Sequence, residues 1–183
     1  MNKTLISTAL GAVLAVAGFA PTAQAADGTI NITGSVVAQT CKVEGSSFGT
    51  QATKAVPLAA VLATDLATAG STAKKTPFSL SVTSCSPSLT SVQAYFSGSN
   101  INASTGNLNV TGTGAATNVQ IQLLNASDVV MPLNGATASA QNSQVVALSG
   151  GAATLNYAAQ YVATGAATAG SANTSVQFTL NYL

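Results

Sequence analysis

Cys41 and Cys85 are the two cysteines of a chain of 183 residues that contains no histidine. Three kinds of chemistry use such a pair: a structural disulfide, a metal site and a nucleophilic thiolate. A metal site wants more ligands than two thiols, and there is no imidazole to supply them. A nucleophilic Cys wants a base beside it, and the commonest one is missing. The acids Asp27, Glu44, Asp65 and Asp128 are scattered along the sequence, so no carboxylate pair for acid–base work stands out. Gly112-Thr113-Gly114 lacks the lysine and the strand–loop–helix setting of a phosphate loop, which makes it a turn. Asn-x-Ser/Thr triplets at Asn31, Asn102, Asn109, Asn125 and Asn173 follow from a composition rich in those residues. The residues argue against an enzyme and call for no cofactor and no metal.

The start of the chain decides between the remaining thiol readings. Lys3 is followed by an apolar stretch from Leu5 to Ala20, then Pro21 and the small-x-small triplet Ala23-Gln24-Ala25. This is the layout of a secretory signal peptide cleaved after Ala25. A membrane anchor would need about 20 apolar residues, and the uninterrupted run from Ala9 to Ala20 falls short. Residues 1–25 are therefore read as a signal. Export takes Cys41 and Cys85 to an oxidising compartment, where a disulfide is the natural reading. Closing a loop of about 45 residues contributes roughly 4 kcal/mol in the chain-entropy model.

The charged residues after the signal are Lys42, Lys54, Lys74 and Lys75 against Asp27, Glu44, Asp65 and Asp128, with no Arg. Such a chain offers no basic patch for nucleic acid. Its polarity comes from Ser, Thr, Asn and Gln, so charge repulsion does little to keep copies apart.

The elements that position these groups read as strands. Alternating runs separated by Gly, Ser and Asn clusters start at Thr29, Thr76, Ser91, Asn118, Ser143 and Ala153, and a last one ends at Leu183. Seven or eight short strands predict an all-β sandwich. One stretch, Pro57 to Gly70, has helical spacing at Leu58, Val61, Leu62, Asp65 and Leu66, which predicts a turn or two of helix. Low-complexity segments such as 163–174 are read as surface turns, because strands resume after them. No internal repeat and no domain boundary is visible.

Both ends of the exported domain are alternating strands without protective charges. Gly28, Ile30, Ile32, Gly34 and Val36 share one face near the N-terminus; Val176, Phe178, Leu180 and Tyr182 share one face near the C-terminus. Edge strands usually carry charges, prolines or covering loops, and an undefended one can take up a strand from another chain. Such a head-to-tail contact is heterologous and builds an open filament.

These residues carry a family resemblance. The extension Gly28-Thr29-Ile30-Asn31-Ile32-Thr33-Gly34 is followed by Cys41, then by the strand Phe78 to Val82 and Cys85. Tyr161 to Gly165 reads Tyr-x-Ala-Thr-Gly, Gly170 lies near the C-terminus, and Tyr182 is penultimate. In this order and spacing the chain resembles the structural subunits (pilins) of chaperone–usher fimbriae, of the type 1 and P-pilus class, over its whole exported length. The resemblance implies an incomplete immunoglobulin-like β-sandwich that lacks its last strand. It implies a donor-strand extension over 26–37 and a pilin domain over 38–183. A periplasmic chaperone lends a strand along Val176 to Tyr182, with basic residues on the Leu183 carboxylate. At the outer-membrane usher the extension of the next subunit replaces it, inserting Ile30, Ile32, Gly34 and Val36. Gly170, Val176, Phe178, Leu180, Tyr182 and Leu183 are then the chaperone and groove residues. The implied product is a homopolymer of pilin subunits, exported through the periplasm to the cell surface as an adhesive fimbria. The last residue departs from the pattern, since Leu183 stands where many relatives end in a polar residue. A self-contained secreted β-sandwich that binds a ligand as a monomer is the alternative reading.

Overall fold

Thr72–Thr83 forms the longest strand, β2, and its apolar positions Phe78, Leu80 and Val82 alternate with Ser79 and Ser81. That period of two is what a strand with one covered face requires. The computed structural model describes residues 41–47 and 49–183. The expected signal peptide and the donor residues Ile30, Ile32, Gly34 and Val36 lie outside the described residues. In chain order the other strands are β1 (Lys42–Val43), β3 (Ser91–Ser97), β4 (Leu108–Asn109), β5 (Val119–Leu124), β6 (Val146–Ala147), β7 (Ala153–Ala163) and β8 (Gln177–Tyr182).

The strands form two antiparallel sheets, one ordered β1-β2-β7-β5-β4 and the other β6-β3-β8. The sheets share one core. Leu80, Val82, Leu155 and Tyr157 of the first meet Val92, Ala94 and Phe96 of the second. Phe96 stands edge-on to Tyr157, ring centroids 5.2 Å apart, a favoured aromatic geometry. Each fully buried side chain here contributes about 1.5–3 kcal/mol of apolar transfer. The Cys41–Cys85 disulfide forms as expected and ties the start of β1 to the end of β2.

Two departures from the expected elements are local. The helical spacing over 57–70 yields only a 3₁₀ turn, Ala63–Leu66, whose Leu66 is buried in the core. Leu58 and Val61 pack against the core from the non-helical stretch before that turn. The run from Ser143 contributes only the two residues of β6, because the segment before it meets β3 through side chains instead of main chain. Pro77 lies inside β2, where only β7 pairs with it, so its missing N–H costs no ladder bond.

Candidate functional site: an open strand lane

β8 ends the three-stranded sheet, so it has β3 on one side and no described strand on the other. Its side chains alternate as the sequence implies. Phe178, Leu180 and Tyr182 are half-buried against the core, while Gln177, Thr179 and Asn181 are exposed. The register tells where the main chain points. Ser91 and Leu183 exchange both hydrogen bonds, N–H to O in each direction at 3.1 and 2.9 Å. In an antiparallel pair every second residue pair repeats that pattern. Gln93↔Asn181, Tyr95↔Thr179 and Ser97↔Gln177 are therefore bonded pairs, and Val92↔Tyr182, Ala94↔Leu180 and Phe96↔Phe178 are not. The N–H and C=O groups of Phe178, Leu180 and Tyr182 consequently face away from β3, and no described residue pairs with them.

Alongside this edge lies a cavity of about 750 Å³. Its floor is apolar core: Phe78, Leu80, Phe96, Ile121, Leu123 and Tyr161. Val176 and Phe178 bound it on one side; Lys54, Val56 and Leu58 line it from the segment before the 3₁₀ turn. The sequence reading missed that second wall, although Lys54, Val56 and Leu58 alternate with Ala55 and Pro57. The wall is tethered by an ion pair. Lys54 Nζ donates to Glu44 Oε2 at 2.7 Å, and the other carboxylate oxygen accepts the Ser81 N–H of β2 at 2.6 Å. An empty slot with an apolar floor and unpaired main chain along one wall suits an extended strand better than a small molecule.

The remaining expected site residues occupy different places. Tyr182 is held by a hydrogen bond with the Cys41 main chain; burial raises its phenol pKa, and that bond partly opposes the rise. Leu183 leaves its side chain exposed, while its main-chain oxygen accepts from Thr90 N–H, Ser91 N–H and Thr90 Oγ1 at 2.8, 3.1 and 3.0 Å. Of the expected groove residues Val176 and Phe178 line the cavity, and Gly170, Leu180, Tyr182 and Leu183 do not. Gly170 lies where residues 114–116 pass, and a Cβ there would sit 2.4 Å from the Ala116 nitrogen and 2.7 Å from the Gly114 oxygen. Its reason is close backbone approach. The phenols of Tyr157 and Tyr161 are also raised by burial, and among the described residues no cluster of three acids or thiols could hold a metal.

A β-sandwich with one strand lane open defines the class: the fold is the incomplete immunoglobulin-like sandwich of chaperone–usher pilins. It is shared with a subunit of a chaperone–usher pilus rod, with a TM-score of 0.59 and 22% identity over 90% of this chain and all of that one. The P pilus rod subunit PapA matches with a TM-score of 0.60 and 18% identity over 79% of this chain and all of its own. The Fimbrial protein family model matches residues 30–183, and the chain belongs to that family. It is 43% identical to the major fimbrial subunit SMF-1 of Stenotrophomonas maltophilia strain K279a, across 87% of this chain and 95% of the relative.

Proposed function

We propose that this chain is a structural, non-catalytic subunit of an adhesive surface fimbria and that it polymerises head to tail by donor-strand exchange. The observation that carries the reading is the open edge of β8, where Phe178, Leu180 and Tyr182 turn apolar side chains to the core and leave their main chain unpaired, with the cavity running alongside Val176 and Phe178. A periplasmic chaperone fills the lane first with a strand of its own. At the outer-membrane usher, Ile30, Ile32, Gly34 and Val36 of the next subunit replace it. Burying each donor Ile contributes about 1.5–3 kcal/mol, and an unfilled lane leaves comparable apolar surface in water. The free subunit is therefore marginal and prone to aggregate. Withdrawal from the fibre requires the whole strand to leave at once, which makes dissociation very slow.

The test is expression of the exported chain in a periplasm with and without a pilus chaperone, followed by size exclusion. Soluble subunit only in company with the chaperone supports the reading. A stable, soluble monomer without help overturns it in favour of a self-contained secreted β-sandwich.

A further inference from the structure

β3 has a second edge, facing away from β8, and by the same register Val92, Ala94 and Phe96 present their main chain there. A short strand covers only its beginning: Val92 pairs with Val146 of β6, and β6 ends within two residues. Beyond that point two side chains, those of Tyr157 and Gln141, bond the β3 main chain where a strand would, and Gln93 of β3 reaches out to the loop. The phenol of Tyr157 hydrogen-bonds with the Ala94 main chain. The side-chain amide of Gln141 meets Phe96 as a peptide group would: its Oε1 accepts the Phe96 N–H at 2.9 Å, and its Nε2 donates to the Phe96 carbonyl at 2.7 Å. Gln93 Nε2 donates to the Ser143 carbonyl at 2.7 Å, and Ser143 Oγ lies 3.0 Å from the Tyr157 hydroxyl.

Gln141 is fully buried and completes its hydrogen bonding within its own loop, on Leu133 O at 2.7 Å and Gly135 O at 3.2 Å. The loop is held down by Met131 and Leu133, both buried in the core. It is also closely folded: a Cβ on Gly135 would sit 2.8 Å from the Ala140 carbonyl carbon.

We propose that residues 132–144, with Gln141 as the central contact, are a side-chain surrogate strand that closes the second edge of the β6-β3-β8 sheet. Strand addition is thereby confined to β8. A sheet open on both edges could take an extended chain on each, and a second copy's β3 would be a ready partner. This chain is nearly uncharged, so edge lysines cannot supply the protection. A buried amide does it instead, since it satisfies the edge donor and acceptor together and leaves nothing for an incoming strand.

The test uses the full exported chain with the lane filled by excess peptide of its own residues 28–37. Gln141→Met keeps the length, replaces the amide by an apolar end and removes both bonds to Phe96. The expected result is dimers and larger species by light scattering at high concentration, and, at a dilution where the chain is monomeric, at least about tenfold faster hydrogen exchange at the Phe96 amide with unchanged exchange at Thr179. Adding Tyr95→Lys, a charge on β3 itself, is expected to restore the monomer. If the Met variant does not fold, Gln141→Asn is one methylene shorter and withdraws the amide from Phe96 while staying polar; the same two readouts apply. A variant that loses thermal stability yet remains monomeric, with Phe96 exchanging as in the parent, overturns the proposal. Failure of the parent chain to take up the peptide would count against donor-strand assembly alone and leave the Phe96 readout intact.

Discussion

Filling the lane should change the hydrogen exchange of β8 at every second residue. Thr179, Asn181 and their neighbours divide by register: the amides of Thr179, Asn181 and Leu183 bond to β3, while those of Phe178, Leu180 and Tyr182 face the open edge. With the lane empty, the second set should exchange quickly and the first slowly. A strand laid along the slot engages three N–H and three C=O groups of β8. At about 0.5–1.5 kcal/mol net per bond, six bonds contribute about 3–9 kcal/mol. At about 1.4 kcal/mol per tenfold, that slows exchange at the slot-facing amides by between about 10² and 10⁶. The assay is residue-resolved exchange on the subunit freshly diluted from denaturant, without and then with a peptide of residues 28–37. Uniform protection of all the β8 amides before the peptide is added would refute the register argument. A peptide that protects Thr179 and Asn181 but not Leu180 would refute it as well.

Other perturbations have equally definite expectations. Gly170→Ala puts a methyl into the backbone of residues 114–116 and strains two bonds, Ala116 N–H to Ser171 O and Ser171 N–H to Gly114 O. Loss of both and the overpacking together should cost about 2–6 kcal/mol, read as a lower urea midpoint with the exchange pattern of β8 retained. Ile30→Asp with Ile32→Asp should leave chaperone capture intact and stop fibre growth in electron micrographs; normal fibres would remove these residues from the donor role. Above about pH 10 stability should fall. The folded phenols of Tyr157, Tyr161 and Tyr182 are all raised, so the unfolded chain loses its protons first and unfolding is favoured as pH climbs. Thermal melts across that range test the sign, and a rising midpoint would contradict the burial of these side chains.

Much of the site was legible because strand alternation is written locally. Phe178, Leu180 and Tyr182 stand two apart, so their common face follows from the pleat alone. The disulfide followed in the same way from two thiols and an export signal. Gly170 was legible as a position but not as a role. What the fold adds is the close passage of residues 114–116, remote in sequence, beside it. The wall at Val56 and Leu58 was obscured by the helical spacing of Leu58, Val61, Leu62, Asp65 and Leu66, of which only the turn Ala63–Leu66 forms.

The sequence by itself determined a disulfide-closed β-sandwich with apolar stripes on undefended strands. Those properties depend on residue types and on a period of two, and both are local. Which edges stay open was decided only by tertiary structure, because an edge is defined by the neighbours a strand lacks. Gln141 belongs to no periodic pattern, yet its amide closes one side of β3 by meeting Phe96 across 45 residues of chain. No equivalent group among the described residues reaches Phe178, Leu180 or Tyr182. The difference between a sealed edge and an open one lies in where long-range folding places a single side-chain amide.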